Sequence, residues 1–159
     1  MTLSVISITN RRIYRYFDIL TGISANLLFV FGLFKVLSLY SDKKYLNSVD
    51  PTVGISNQWI FIIVGTVELS LAIAYYRSVF SFADFRLSLV GLAAIFWAYR
   101  IVGKLSGVTA PCACMGRFGE ELDFSQNTVE ITITSVLILF TFLGVYECLN
   151  RLAISKLRN

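Results

Sequence analysis

Four long apolar runs, each bounded by polar or charged residues, constrain this chain more than anything else in it. A helix needs about 20 mostly apolar residues to cross roughly 30 Å of hydrocarbon. Segments 16–40, 59–76, 85–105 and 128–149 meet that need. The fourth is rich in β-branched residues (Val129, Ile131, Thr132, Ile133, Thr134, Val136), which in water would favour a strand. In lipid, a lone strand leaves its backbone polar groups unanswered, so helix is expected there too. With 56% hydrophobic residues, 15% charged residues and a mean hydropathy of +0.70, the chain is too apolar for a soluble domain. The expected fold is all-α: one domain over residues 1–159, an up-down bundle of four transmembrane helices. Small residues on the first three segments (Gly22, Ser24, Ala25; Gly65, Ser70, Ala72; Gly91, Ala93, Ala94) are expected to let the helices approach closely.

The basic residues lie at segment ends rather than in a stripe, which speaks for membrane orientation and against nucleic-acid binding despite a net charge of +4. Arg11, Arg12, Arg15, Arg77, Arg86, Arg151, Lys156 and Arg158 fall on one side. Lys43, Lys44, Lys104 and Arg117 fall on the other, among Asp42, Asp50, Glu120, Glu121 and Asp123. Eight against four predicts both termini in the cytoplasm. An inner (cytoplasmic) membrane protein with several passes is the expectation. Tyr40, Tyr45, Trp59 and Trp97 fit an aromatic belt at the outer interface. Residues 1–10 lack a basic stretch followed by a long apolar one, so no cleavable signal is expected. There is no histidine, which removes imidazole bases and His-ligated haem.

Asp18, Lys35, Glu68 and Arg100 stand out as ionisable residues within the apolar segments. Each costs about 2.5–3.5 kcal/mol at a helix centre unless it is paired or faces a polar cavity. Asp18 sits near Arg15 and reads as an interfacial charge. Lys35 and Arg100 lie about 7 Å below the outer ends of their helices, and Glu68 roughly 13 Å below, at 1.5 Å per residue. All three are expected in the outer half of the bundle. Lys35 and Arg100 have stems long enough to reach outward to phosphates. Glu68 does not, so it is either neutral or paired with Lys35 or Arg100. The three form a candidate polar pocket for a quinone head group or for relayed protons. Glu130, in the first turn of the fourth helix, is favoured there by the helix dipole alone.

Cys112 and Cys114 stand one residue apart in the 106–127 link, within Pro111-Cys112-Ala113-Cys114-Met115-Gly116. The charge bias puts this link outside the cytoplasm, where disulfides form and persist. Residues i and i+2 of an extended chain are about 7 Å apart, at the limit of disulfide reach, so closing the pair strains the chain between them. Strained, exposed disulfides exchange readily, and a nearby Lys104 or Arg117 favours a thiolate. Cys148, at the opposite end of the fourth segment, reads as a small apolar filler.

These residues carry a resemblance. Gly32-Leu33-Phe34-Lys35 closing the first segment, Glu68-Leu69-Ser70-Leu71-Ala72 in the second, and the Pro-Cys-x-Cys-x-Gly link after the third resemble the MauE/DoxX family of small four-helix redox-associated membrane proteins. The likeness runs from about Arg12 to Leu149. Met115 stands where MauE-like links carry an aromatic residue. The resemblance implies a redox role for Cys112 and Cys114, and it matches Lys35 and Glu68 to helix motifs. It also implies partners: thioredoxin-like or disulfide-rich extracytoplasmic proteins, with membrane quinone as a candidate acceptor.

Three functional readings stand open on the sequence. The first is thiol–disulfide exchange, with Cys112 and Cys114 as the catalytic pair. In the second, the chain is a non-catalytic assembly or accessory subunit of a membrane complex. The third is Cu(I) handling by the two thiolates with the Met115 thioether, a soft ligand set.

Overall fold

The computed structural model of the chain describes residues 2–40, 46–107 and 125–158. Four helices account for nearly all of them: α1 Thr2–Ser38, α2 Asn57–Tyr76, α3 Phe82–Leu105 and α4 Gln126–Arg158. No strand occurs among the described residues, and the single β-bridge joins Val49 to Ser56. Each helix holds a stretch long and apolar enough to cross a membrane: Tyr14–Ser38, Asn57–Tyr76, Phe82–Leu105 and Asn127–Ala153. The β-branched fourth segment is helical, as lipid requires. The helices overrun the apolar segments at one end, where α1 begins at Thr2 and α4 continues to Arg158.

Apolar side chains point both ways, as expected where lipid replaces water around the bundle. Phe85, Leu89, Leu137, Phe140 and Leu143 are buried, while Ile23, Ile63, Ile95 and Phe142 face outward. Hydroxyls within the spans are answered locally: Thr21 donates to the Phe17 carbonyl at 2.6 Å and Ser24 to the Leu20 carbonyl at 2.9 Å. This i−4 bonding removes a polar group that lipid could not satisfy.

The bundle is built from two antiparallel pairs, α1 with α2 and α3 with α4. Glycine seats each pair. A Cβ on Gly32 would meet the Leu69 side chain at 2.8 Å and the Gly65 carbonyl at 3.0 Å. A Cβ on Gly144 would fall 2.2 Å from the Val90 Cβ. Of the small residues singled out in the sequence, Gly65 does lie at a crossing, but Gly91 meets nothing within 4 Å and faces outward. Aromatic contacts help join the two pairs. Phe17 of α1 stacks on Tyr146 of α4, with ring centroids 3.7 Å apart, and Tyr75 of α2 meets Phe85 of α3 at 4.8 Å.

The connection before α2 folds over one end of the bundle. Asp50 accepts from the backbone N–H groups of Thr52 and Val53 and from the Tyr99 hydroxyl of α3 at 2.6 Å. Its turn closes through Gly54, whose φ of +72° suits glycine. At the other end Ser81 caps α3, accepting from the Asp84 N–H and donating to the Asp84 carboxylate. Trp59 and Tyr40 are exposed, as a belt requires, but Trp97 turns inward and donates to Thr141 of α4 at 3.3 Å. Tyr45 lies outside the described residues.

Candidate functional site

Lys35 and Glu68 meet inside the bundle. The Lys35 Nζ donates to both carboxylate oxygens, at 2.9 and 2.7 Å, and both side chains are 2% exposed. Glycines make this possible. A Cβ on Gly65 would stand only 3.1 Å from the Lys35 Cβ, so the bare backbone of α2 leaves room for the lysine stem. The ammonium lies 5.9 Å from the Phe31 ring centroid and 6.0 Å from that of Phe96, a favourable placement for a desolvated cation. Lys35 therefore does not reach out to lipid phosphates, and its partner is on the neighbouring helix.

Arg100 does not join them. Its guanidinium donates to Thr134 at 2.8 Å and to Glu130 at 2.9 Å, both on α4, and lies 5.9 Å over the Trp97 ring. Glu130 is thus an ion-pair partner as well as a residue favoured by the helix dipole. The expected three-residue pocket divides into two separate pairs. Beside Glu68 there is a cavity of about 20 Å³, lined by Phe31, Phe96, Ile133, Leu137 and Phe140. That space is near the lower limit for one water, far below the roughly 300 Å³ at which small-molecule pockets begin. A quinone ring does not fit there.

A second ionic cluster lies toward the ends of the helices that carry the termini. Arg86 of α3, 4% exposed, donates to Asp18 of α1 at 2.6 Å, to Thr21 at 2.9 Å and to Glu147 of α4 at 3.4 Å. Arg151 extends it, reaching Asp84 at 2.7 Å and Glu147 at 3.5 Å. Asp18 is therefore held by Arg86 rather than Arg15. In the sequence Arg86 presents itself as an orienting charge at a link, whereas in the structure it centres a buried cluster that also holds Glu147. The signal was available: Arg86 follows the first residue of the third apolar segment, and Glu147 falls inside the fourth, four residues before Arg151.

This cluster ties three helices together, so removing its centre has a large expected effect. Arg86→Met leaves Glu147 buried with only the longer Arg151 contact, and is expected to destabilise the bundle by about 3 kcal/mol. Adding Glu147→Gln should recover part of that loss. Unfolding titrated with SDS in mixed micelles measures both.

Cys112, Cys114, Met115 and Arg117 lie outside the described residues. The link that holds them leaves α3 beyond Leu105 and returns at the start of α4, at the end covered by the Asp50 turn. Lys104 is exposed in the last turn of α3. Cys148 is a half-buried free thiol on α4. No family model, curated protein or solved structure matches the chain.

Proposed function

We propose that this chain is a multi-pass inner-membrane protein that passes oxidising equivalents to extracytoplasmic proteins through Cys112 and Cys114, in the manner its resemblance to MauE/DoxX proteins implies. One observation carries the reading: two thiols one residue apart, in the link between two membrane-spanning helices, at the end away from most of the basic residues. The excess of arginine and lysine near the termini supports a cytoplasmic location for both of them.

The reaction is an exchange. A thiolate of the substrate protein attacks one sulfur of the Cys112–Cys114 disulfide and the other sulfur leaves as thiolate, giving a mixed disulfide. The second substrate thiol resolves it, so the substrate ends oxidised and the Cys112/Cys114 pair reduced. Reoxidation takes two electrons and two protons to a thioredoxin-like disulfide or a membrane quinone.

Cys112→Ser and Cys114→Ser should each abolish oxidation of a reduced disulfide-rich client in membranes, at unchanged levels of inserted protein. The Cys114→Ser protein has no internal disulfide for a client to attack, so where a thioredoxin-like protein is the reoxidant, the Cys112 thiolate should attack that protein's disulfide and accumulate as a mixed disulfide with it. Native activity in either single variant defeats the mechanism. Wild-type behaviour of both, together with a stably co-purifying complex, would favour an accessory subunit instead.

A further inference from the structure

We propose that the turn over residues 48–57 is a latch, and that releasing it parts the two helix pairs at the Asp50 end and opens the seam beside Lys35 and Glu68. The pattern of polar ties points there. In the middle of the bundle they run within a pair. Lys35 to Glu68 and Tyr76 to Asn26 join α1 with α2, while Trp97 to Thr141 and Arg100 to Glu130 join α3 with α4. Among the described residues, hydrogen bonds cross from one pair to the other at the two ends. At the end carrying the termini, Arg86 of α3 reaches Asp18 and Thr21 of α1. At the opposite end, Tyr99 of α3 donates to Asp50 at 2.6 Å.

Between those ties the seam is the weakest surface in the bundle. Within each pair glycine brings the backbones together, at Gly32 against Gly65 and at Gly144 against Val90, and such close approach is what holds helices together in lipid. Across the seam the helices meet through larger side chains, Phe17 on Tyr146, Tyr75 on Phe85 and Lys35 over Phe96. The cavity of about 20 Å³ lies in this seam, lined from all four helices by Phe31, Glu68, Phe96 and Ile133 among others. Elements with fewer close contacts open locally at less cost than the whole fold. The Arg86 cluster, with the Phe17–Tyr146 stack beside it, is then the pivot. Lys35 and Glu68 ride on one pair, so opening exposes them still joined and strands no lone charge.

The latch can release without unfolding the turn. Asp50 Oδ1 accepts from the Thr52 and Val53 N–H groups, and Asn57 is tied to Ser48 through backbone and side chain, at 3.0 and 2.9 Å. The other oxygen, Oδ2, takes the Tyr99 hydroxyl. When that bond breaks, the turn keeps its own hydrogen bonds. Thr52 also rests on the bare backbone of Gly103, where an added Cβ would stand 3.3 Å from its Oγ1. Both contacts are to α3, so together they hold the first pair's connection against the second pair.

The test reads access to the seam in the full chain, in lipid nanodiscs, with the native thiols removed (Cys112→Ser/Cys114→Ser/Cys148→Ser). One reporter, Ile133→Cys on the cavity wall, is labelled with a water-soluble maleimide, which reacts with the thiolate and so needs water at the sulfur. A second, Leu89→Cys, is buried three residues from Arg86. Each latch variant is compared with its own reporter parent. Losing a hydrogen bond to a carboxylate shifts an equilibrium about tenfold or more. Tyr99→Phe, which keeps the ring, should therefore raise labelling of Ile133→Cys about tenfold and leave Leu89→Cys at the parent rate. Gly103→Val, which drives the turn from α3 through Thr52, should do the same with both hydrogen-bonding groups intact. Parent-rate labelling of Ile133→Cys in both variants overturns the latch. So does an equal rise at the two reporters, which would make the Asp50–Tyr99 bond a tie of the whole fold. No native cysteine takes part, so the result is independent of thiol exchange.

Discussion

Replacing Lys35 by methionine should destabilise the bundle by about 3–5 kcal/mol, the usual consequence of stripping one partner from a buried pair. Glu68 then has nothing to answer its two oxygens, both now held by Lys35 at 2.9 Å or less. It lies eleven residues into α2, on a side chain too short to regain water. The reverse change should be milder. In Glu68→Leu the orphan is Lys35, three residues from the end of α1, whose stem can swing its ammonium toward the interface. The double variant Lys35→Met/Glu68→Leu should recover most of the native stability, because apolar residues of similar volume replace buried ion pairs at little or no cost. Unfolding of all three by SDS titration in mixed micelles gives the order: native and double variant highest, Glu68→Leu below them, Lys35→Met lowest. Equal losses in the two single variants would show that lysine cannot escape. A double variant no better than its parents would show that the pair is worth more than its volume. On the proposed exchange reading, the folded double variant should keep its activity, since the space beside the pair is only water-sized.

The number and character of the spans were legible because bilayer thickness sets a length that few soluble helices match with apolar residues alone. Three of the four apolar segments lie wholly within helices of the structure, and the first overruns the end of α1 by two residues, Leu39 and Tyr40. The helix ends were less legible. Polar residues such as those before Tyr14 carry no signal for lipid, yet the backbone continues as helix through them. The buried pair was half legible. Isolated charges in apolar runs must find partners, so Lys35, Glu68 and Arg100 stood out. Depth along a helix says nothing of its rotation, and rotation is what turns Arg100 to Glu130 and leaves Lys35 to Glu68.

The cluster role of Arg86 is hidden in the sequence for a related reason. At a segment boundary, a charge that orients the chain and a charge that ties helices together look alike in one dimension. The aromatic belt failed at Trp97 because belt and core positions differ only in which way the helix faces, and Trp97 faces Thr141. The thiol pair is the opposite case. Two cysteines and their spacing are plain in the sequence, but the link that holds them lies outside the described residues, and packing neither supports nor opposes any of the three readings of the pair.

The closest approach of α3 and α4 yields the second large effect. Gly144→Ala should be severely destabilising, well beyond the 1–3 kcal/mol typical of overpacked cores, because the added methyl would sit 2.2 Å from the Val90 Cβ and 3.0 Å from the Arg86 carbonyl. Neither atom is the tip of a flexible side chain, so relief requires the helices to separate. Separation would also loosen Arg86 from Glu147, coupling this crossing to the ionic cluster beside it. Moving the glycine tests that geometry. In Gly144→Ala/Val90→Gly the Cβ collision is gone, while the contact with the Arg86 carbonyl persists and a helical glycine at 90 costs about 1 kcal/mol against alanine. The double variant should therefore regain part, but not all, of the stability lost in the single one. Gly91→Ala, one residue from Val90 but facing outward into open space, should be neutral or slightly stabilising. If Gly144→Ala and Gly91→Ala unfold at the same SDS fraction, the two helices do not cross at Gly144.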